Sequence, residues 1–149
     1  MKIKALIVED ENPSARRLER LLEKYNLDVI DKCSSLKETI NWLKTNLQPD
    51  VLFLDIQLGD GLSFEIFQEV AIQCPIIFTT AYDQYAIQAF KFNSIDYLLK
   101  PIDEEELVYA IEKLKKHQQP LSSHQIKQLI QQTQAQQNYK ERFTVKVGE

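Results

Sequence analysis

Residues 51–55, Val51-Leu52-Phe53-Leu54-Asp55, are four consecutive apolar side chains closed by a carboxylate. A run without polar alternation suits a strand buried on both faces, as in parallel sheets with helices packed on either side. Upstream the arrangement recurs: Ala5-Leu6-Ile7-Val8 leads into Glu9-Asp10. In such sheets the working site gathers beyond the carboxyl ends of the strands, so Glu9, Asp10 and Asp55 are expected to converge on one edge. Like charges this close repel and are tolerable only with a cation among them or with one acid protonated. A divalent metal is the natural occupant.

Working outward, apolar runs alternate with stretches of helical period, the pattern of repeated strand–helix units in an α/β fold. Strands are expected near 4–8, 28–33, 51–54, 76–80 and 96–99. Helix-start signals stand between them: Asn12 before Pro13, Ser35 with Glu38, and Asp103 with Glu106. The last of these opens a helix over about 104–116. Beyond it, 118–139 is rich in glutamine and poor in large apolar residues, and reads as a linker. Ile126, Leu129 and Ile130 have helical spacing within it, and the final RFTVKV alternates like a strand without a partner.

A 149-residue chain with 44% hydrophobic residues suits one domain with a substantial core plus an appendage. Residues 1–119 hold 14 basic and 20 acidic side chains, and 120–149 hold 4 and 2, giving the overall −4. So acidic a body lacks the basic footprint of a nucleic-acid binder. No apolar stretch approaches the roughly 20 residues of a membrane span, and the opening MKIKALIVED is too short and acidic for a signal peptide. A cytoplasmic location without membrane contact is therefore expected. Cys33 and Cys74 have no metal-ligand spacing and are expected to be free, packed thiols.

Two further strand ends bring polar groups to the acidic edge: Thr79-Thr80 after Ile76-Ile77-Phe78, and Lys100 after Tyr97-Leu98-Leu99 and before Pro101. Acids, a hydroxyl and an ammonium together suit phosphoryl transfer, whose chemistry is mostly positioning and charge neutralisation. Asp55 would be the nucleophile, Glu9 and Asp10 the holders of Mg²⁺, a hard cation that takes oxygen ligands. Lys100 and Thr80 would bind phosphoryl oxygens. Strand alternation lets only one of the two threonines face the pocket. Taken singly, each of these residues also has a plain structural use, such as a turn, a cap or a solvated strand end.

The spacing of Glu9-Asp10, Asp55, Thr80-Ala81 and Lys100-Pro101 resembles the receiver domain of two-component response regulators, over residues 1–117. TTAYDQYAIQAFKFNSIDYLLKPID is similar to the LytTR (LytR/AlgR-type) subgroup, and 140–149 resembles the opening of its LytTR DNA-binding output domain, which the sequence would carry only in truncated form. The resemblance implies a flavodoxin-like (CheY-like) five-stranded parallel sheet of order 2-1-3-4-5 with helices on both faces. It implies phosphorylation of Asp55 by a sensor histidine kinase, and Mg²⁺ held by Glu9, Asp10, Asp55 and the backbone carbonyl of Gln57. It also implies a cis Lys100–Pro101 peptide, Thr80 rather than Thr79 at the pocket, and Thr80 with Tyr97 as a switch pair. Transcriptional control would pass through the LytTR domain, DNA being reached only through it. The loop Gln57-Leu58-Gly59-Asp60-Gly61 departs from the family pattern in lacking a proline.

Tyr82, Tyr85, Ala86, Ala89 and Phe90 form one helical stripe and are expected in the core, with Ile87 outside it. In the family, phosphorylation favours a homodimer through this helix, the last strand and the last helix, a face that Ile87 would suit. Three other functions fit less well. A stand-alone receiver, working by phosphorelay or protein contact, would lack a DNA output. A phosphatase of the haloacid dehalogenase type needs a second acid where Gln57 stands. A flavodoxin needs a phosphate-cradling loop where Glu9-Asp10-Glu11 would repel the phosphate.

Overall fold

The computed structural model describes residues 2–82 and 94–117, which belong to one compact unit, Met1–His117. Strands β1 (Ile3–Val8), β2 (Leu27–Cys33), β3 (Val51–Asp55), β6 (Ile76–Thr80) and β7 (Ser94–Leu99) form a parallel sheet of order β2-β1-β3-β6-β7. Counted by sheet strands alone this is 2-1-3-4-5, the flavodoxin-like order. A small antiparallel hairpin, β4 (Gln57–Leu58) with β5 (Gly61–Leu62), follows β3 directly.

Alternation along each strand splits the core in two. Ala5, Ile7, Val51, Phe53, Ile77 and Leu98 face helices α1 (Asn12–Lys24) and α4 (Glu104–His117). Leu6, Val8, Leu52, Leu54, Ile76 and Phe78 face α2 (Leu36–Thr45) and α3 (Ile66–Glu69), the latter led in by a 3₁₀ turn over Ser63–Glu65. The helices answer with apolar stripes at i, i+3, i+7 spacing: Ala15, Leu18 and Leu22 on α1, and Leu107, Ala110, Ile111 and Leu114 on α4. All five residues of β3 and of β6 are buried, which is why each opens as an apolar run, Val51 to Leu54 and Ile76 to Phe78.

Helix starts differ in one place from expectation. The residue capping α1 is Glu11 rather than Asn12, with Pro13 in the first turn, where the missing N–H costs nothing. At α2 the expected cap is present: Ser35 Oγ accepts the Glu38 N–H at 3.0 Å, while Glu38 Oε1 reaches back to the Ser34 N–H at 2.8 Å. Asp103 stands directly ahead of α4, its carbonyl accepting the Leu107 N–H at 3.0 Å. On α2, Trp42 Nε1 donates to Asp31 Oδ2 of β2 at 2.8 Å.

Tyr82 departs from its expected place in the core: it is 49% exposed, because the chain has left β6 there and is not helical. The rest of its stripe, and Ile87, lie outside the described residues, as do the glutamine-rich segment and the terminal strand-like run. Cys33 and Cys74 are both buried. Among the described residues no helix is long and apolar enough to cross a membrane.

Candidate phosphoacceptor site

At the carboxyl ends of β1, β3, β6 and β7 lies a cleft of about 280 Å³, lined among others by Asp10, Asp55, Gln57, Thr80 and Lys100. Each side chain is the product of a strand end. Asp55 is the last residue of β3 and is buried. Glu9 and Asp10 follow β1, Glu9 buried and Asp10 exposed. Its Oε2 accepting the Glu11 N–H at 3.1 Å, Glu9 is steered by the turn into α1. Carboxylate oxygens of Glu9, Asp10 and Asp55 all lie within 4.8 Å of one another.

Lys100 follows β7, where its N–H donates to the Thr80 carbonyl at 2.8 Å and a cis Lys100–Pro101 peptide turns the chain. Its Nζ lies 3.0 Å from Asp55 Oδ2 and is also paired with Glu9 Oε1. Lys100 thus supplies one cation among the three acids. Burial, with the neighbouring Glu9 charge adding to it, raises the Asp55 carboxyl to about 7 against the opposing pull of Lys100. For Lys100, burial alone would lower the ammonium, but the hydrogen bond to Glu9 and the attraction of Asp55 outweigh it and the net shift is upward.

Thr80, fully buried, borders the cleft, and its Oγ1 accepts the Tyr82 N–H at 3.2 Å. Thr79 is also buried, and its carbonyl takes the Ile56 N–H at 2.9 Å, tying β6 to the residue after Asp55. Tyr97 is half-buried, packs on the α2/α3 side of the sheet, and its hydroxyl donates to the Tyr82 carbonyl. Gln57 is exposed and borders the cleft from β4. Glu9, Asp10, Asp55, Gln57, Thr80, Tyr97 and Lys100 are therefore at or beside this one cleft.

The donor set suits a hard divalent cation: three carboxylates at one mouth, oxygen ligands only, and no thiol or imidazole among the lining residues. Sequence reasoning passed over one residue of the cleft loop. Asp60, at the tip of the β4–β5 hairpin, accepts the Leu36 N–H through Oδ1 at 2.8 Å and the Lys37 N–H through Oδ2 at 3.2 Å. These bonds, that to Leu36 foremost, hold its carboxyl below the ordinary value. The signal available was Gly59-Asp60-Gly61, a turn-forming sequence, which says nothing of a partner 24 residues away.

The five-stranded parallel sheet with its strand-end cleft is the architecture of a receiver module, and residues 5–112 match the response regulator receiver domain, so the chain belongs to that family. It is 40% identical over 121 residues to the sensory transduction protein LytT of Bacillus anthracis, covering 78% of this chain and 49% of that protein. It is 43% identical over 117 residues to the transcriptional regulatory protein BtsR of Escherichia coli K12, covering 76% and 48%. Among solved structures it is similar to the response regulatory domain of protein mrkE from Klebsiella pneumoniae, with a TM-score of 0.68 and 28% identity over 77% of this chain and 97% of that one. The chain spans about half the length of the curated relatives it matches.

Proposed function

We propose that this chain is the receiver of a LytTR-type response regulator, in which Asp55 accepts a phosphoryl group from a sensor histidine kinase. The observation that carries this reading is the buried Asp55 carboxylate, 3.0 Å from Lys100 Nζ and grouped with Glu9 and Asp10 at one strand-end cleft. An Asp55 carboxylate oxygen attacks phosphorus, a P–O bond forms, and the bond from phosphorus to the kinase imidazole breaks, the neutral imidazole leaving. Lys100 binds the transferred phosphoryl oxygens, and the Thr80 hydroxyl donates to one of them. Glu9, Asp10, Asp55 and the Gln57 carbonyl would hold Mg²⁺, which when bound neutralises the acids and the incoming phosphoryl oxygens.

Arrival of about two negative charges then exchanges the Thr80 hydroxyl from its local backbone bond to the phosphate, and Tyr97 gives up the Tyr82 carbonyl. That change favours a homodimer and governs a transcriptional output. Residues 118–139 serve as the glutamine-rich linker, and 140–149 open the LytTR domain through which DNA is reached. On this reading the receiver works in the cytoplasm.

The test is the intact mass of the chain after incubation with acetyl phosphate and Mg²⁺. One phosphoryl adduct is expected on the wild type, and none on Asp55→Ala or on chelated samples. Absence of the adduct under conditions that label another receiver would overturn the phosphoacceptor reading.

A further inference from the structure

The first four backbone N–H groups of a helix have no partner within it and must be satisfied from outside. On α2 the Thr39 N–H makes the first intrahelical bond, to the Ser35 carbonyl, and the Glu38 N–H ahead of it is capped locally by Ser35 Oγ. Leu36 and Lys37 N–H go instead to Asp60, whose two oxygens are both engaged. Of the N–H groups of Leu36, Lys37 and Glu38, two are therefore capped by the loop that follows Asp55. Asp60 sits at the tip of the hairpin whose first strand bears Gln57, and Gly59 beside it borders the cleft. Gly61 seals the same joint: at φ +144° a Cβ there would stand 2.8 Å from Leu36 Cδ1.

We infer that Asp60 is the positioning residue of the cation cleft: by pinning the hairpin to the N-terminus of α2 it fixes the backbone at Gln57 and Gly59, so that α2 and the cleft are energetically coupled. The loop lacks the proline that would stiffen it, and the carboxylate staple supplies that stiffness from a distance. A charge-assisted pair of hydrogen bonds to the positive end of a helix is well suited to this, being stronger than neutral bonds and favoured by the helix dipole. The inference rests on the proposed cation site and concerns what orders it.

Ser35→Ala provides the control, because it removes an α2 cap of similar worth without touching the hairpin. Mg²⁺ affinity of the full chain is measured by calorimetry for wild type, Asp60→Ala, Asp60→Asn and Ser35→Ala, with urea unfolding for each. Both alanine variants are expected to lose stability, but only Asp60→Ala should weaken Mg²⁺, by about tenfold, the scale on which outer partners order metal ligands. Asp60→Asn, which keeps one acceptor oxygen, should fall between. Equal Mg²⁺ affinity in Asp60→Ala and Ser35→Ala would overturn the positioning role while leaving the cation site standing. Failure of the wild type itself to bind Mg²⁺ would overturn both.

Discussion

At Lys100 a single ammonium answers two buried carboxylates, Glu9 and Asp55. The repulsion inferred from three acids at one edge is thus countered by a side chain of the same edge, while burial, with the Glu9 charge adding to it, still holds the Asp55 carboxyl above its ordinary value. Lys100→Met removes the ammonium and leaves the acids facing one another. It is expected to cost up to about 3 kcal/mol without divalent cation, on the scale of breaking a buried pair. The wild type and the variant should converge as Mg²⁺ is added, since a ligand stabilises the fold in proportion to its binding; thermal unfolding with and without Mg²⁺ checks this. At this scale the sequence was informative where chemistry repeats at strand ends. Choosing Thr80 over Thr79 was different, for alternation says that one faces the cleft but not which, and the choice came from resemblance alone. Asp60 was illegible because its partners, Leu36 and Lys37, are close only in space.

Among the elements, the five sheet strands could be read to within two residues at either end; burial on both faces writes the apolar runs of β1, β3 and β6, whereas β2 and β7 interleave polar residues and are only partly buried. The β4–β5 hairpin could not: two-residue strands are too short to show a period. Its geometry nonetheless makes a sharp demand at Gly61. An alanine there must adopt a φ that L-residues avoid and press on Leu36 Cδ1 and Glu65 Oε2. Gly61→Ala is expected to destabilise by about 1–3 kcal/mol, seen as a lower urea midpoint with an unchanged slope. The α1 cap was misplaced by one residue since Asn12 and Glu11 both precede Pro13, and only the turn that directs Glu9 toward Lys100 decides between them.

Across the whole molecule the sheet divides two cores, and both thiols belong to the one beneath α2 and α3. Burial pushes Cys33 up to about 12 and Cys74 to about 11, from an ordinary 9.0. Both folded values exceed the unfolded one, so the unfolded chain ionises first as pH rises. Stability from the neutral thiols is therefore whole below about pH 9 and is lost progressively toward 11–12. The native protein at pH 8 is expected to resist a thiol-titrating disulfide reagent and to release two equivalents only on unfolding; prompt reaction of either cysteine would contradict the packing. Motif spacing and the resemblance it carries pointed to the class of molecule but not to how the cleft is braced, because that bracing runs between elements. One consequence concerns light. The protein's sole tryptophan rides on α2, its indole N–H fastened to Asp31 of β2, on the helix whose other end Asp60 clasps. Its emission is a single-chromophore signal from the joint between α2 and the sheet, so a spectral shift on filling the cleft would report movement of that helix without any added dye.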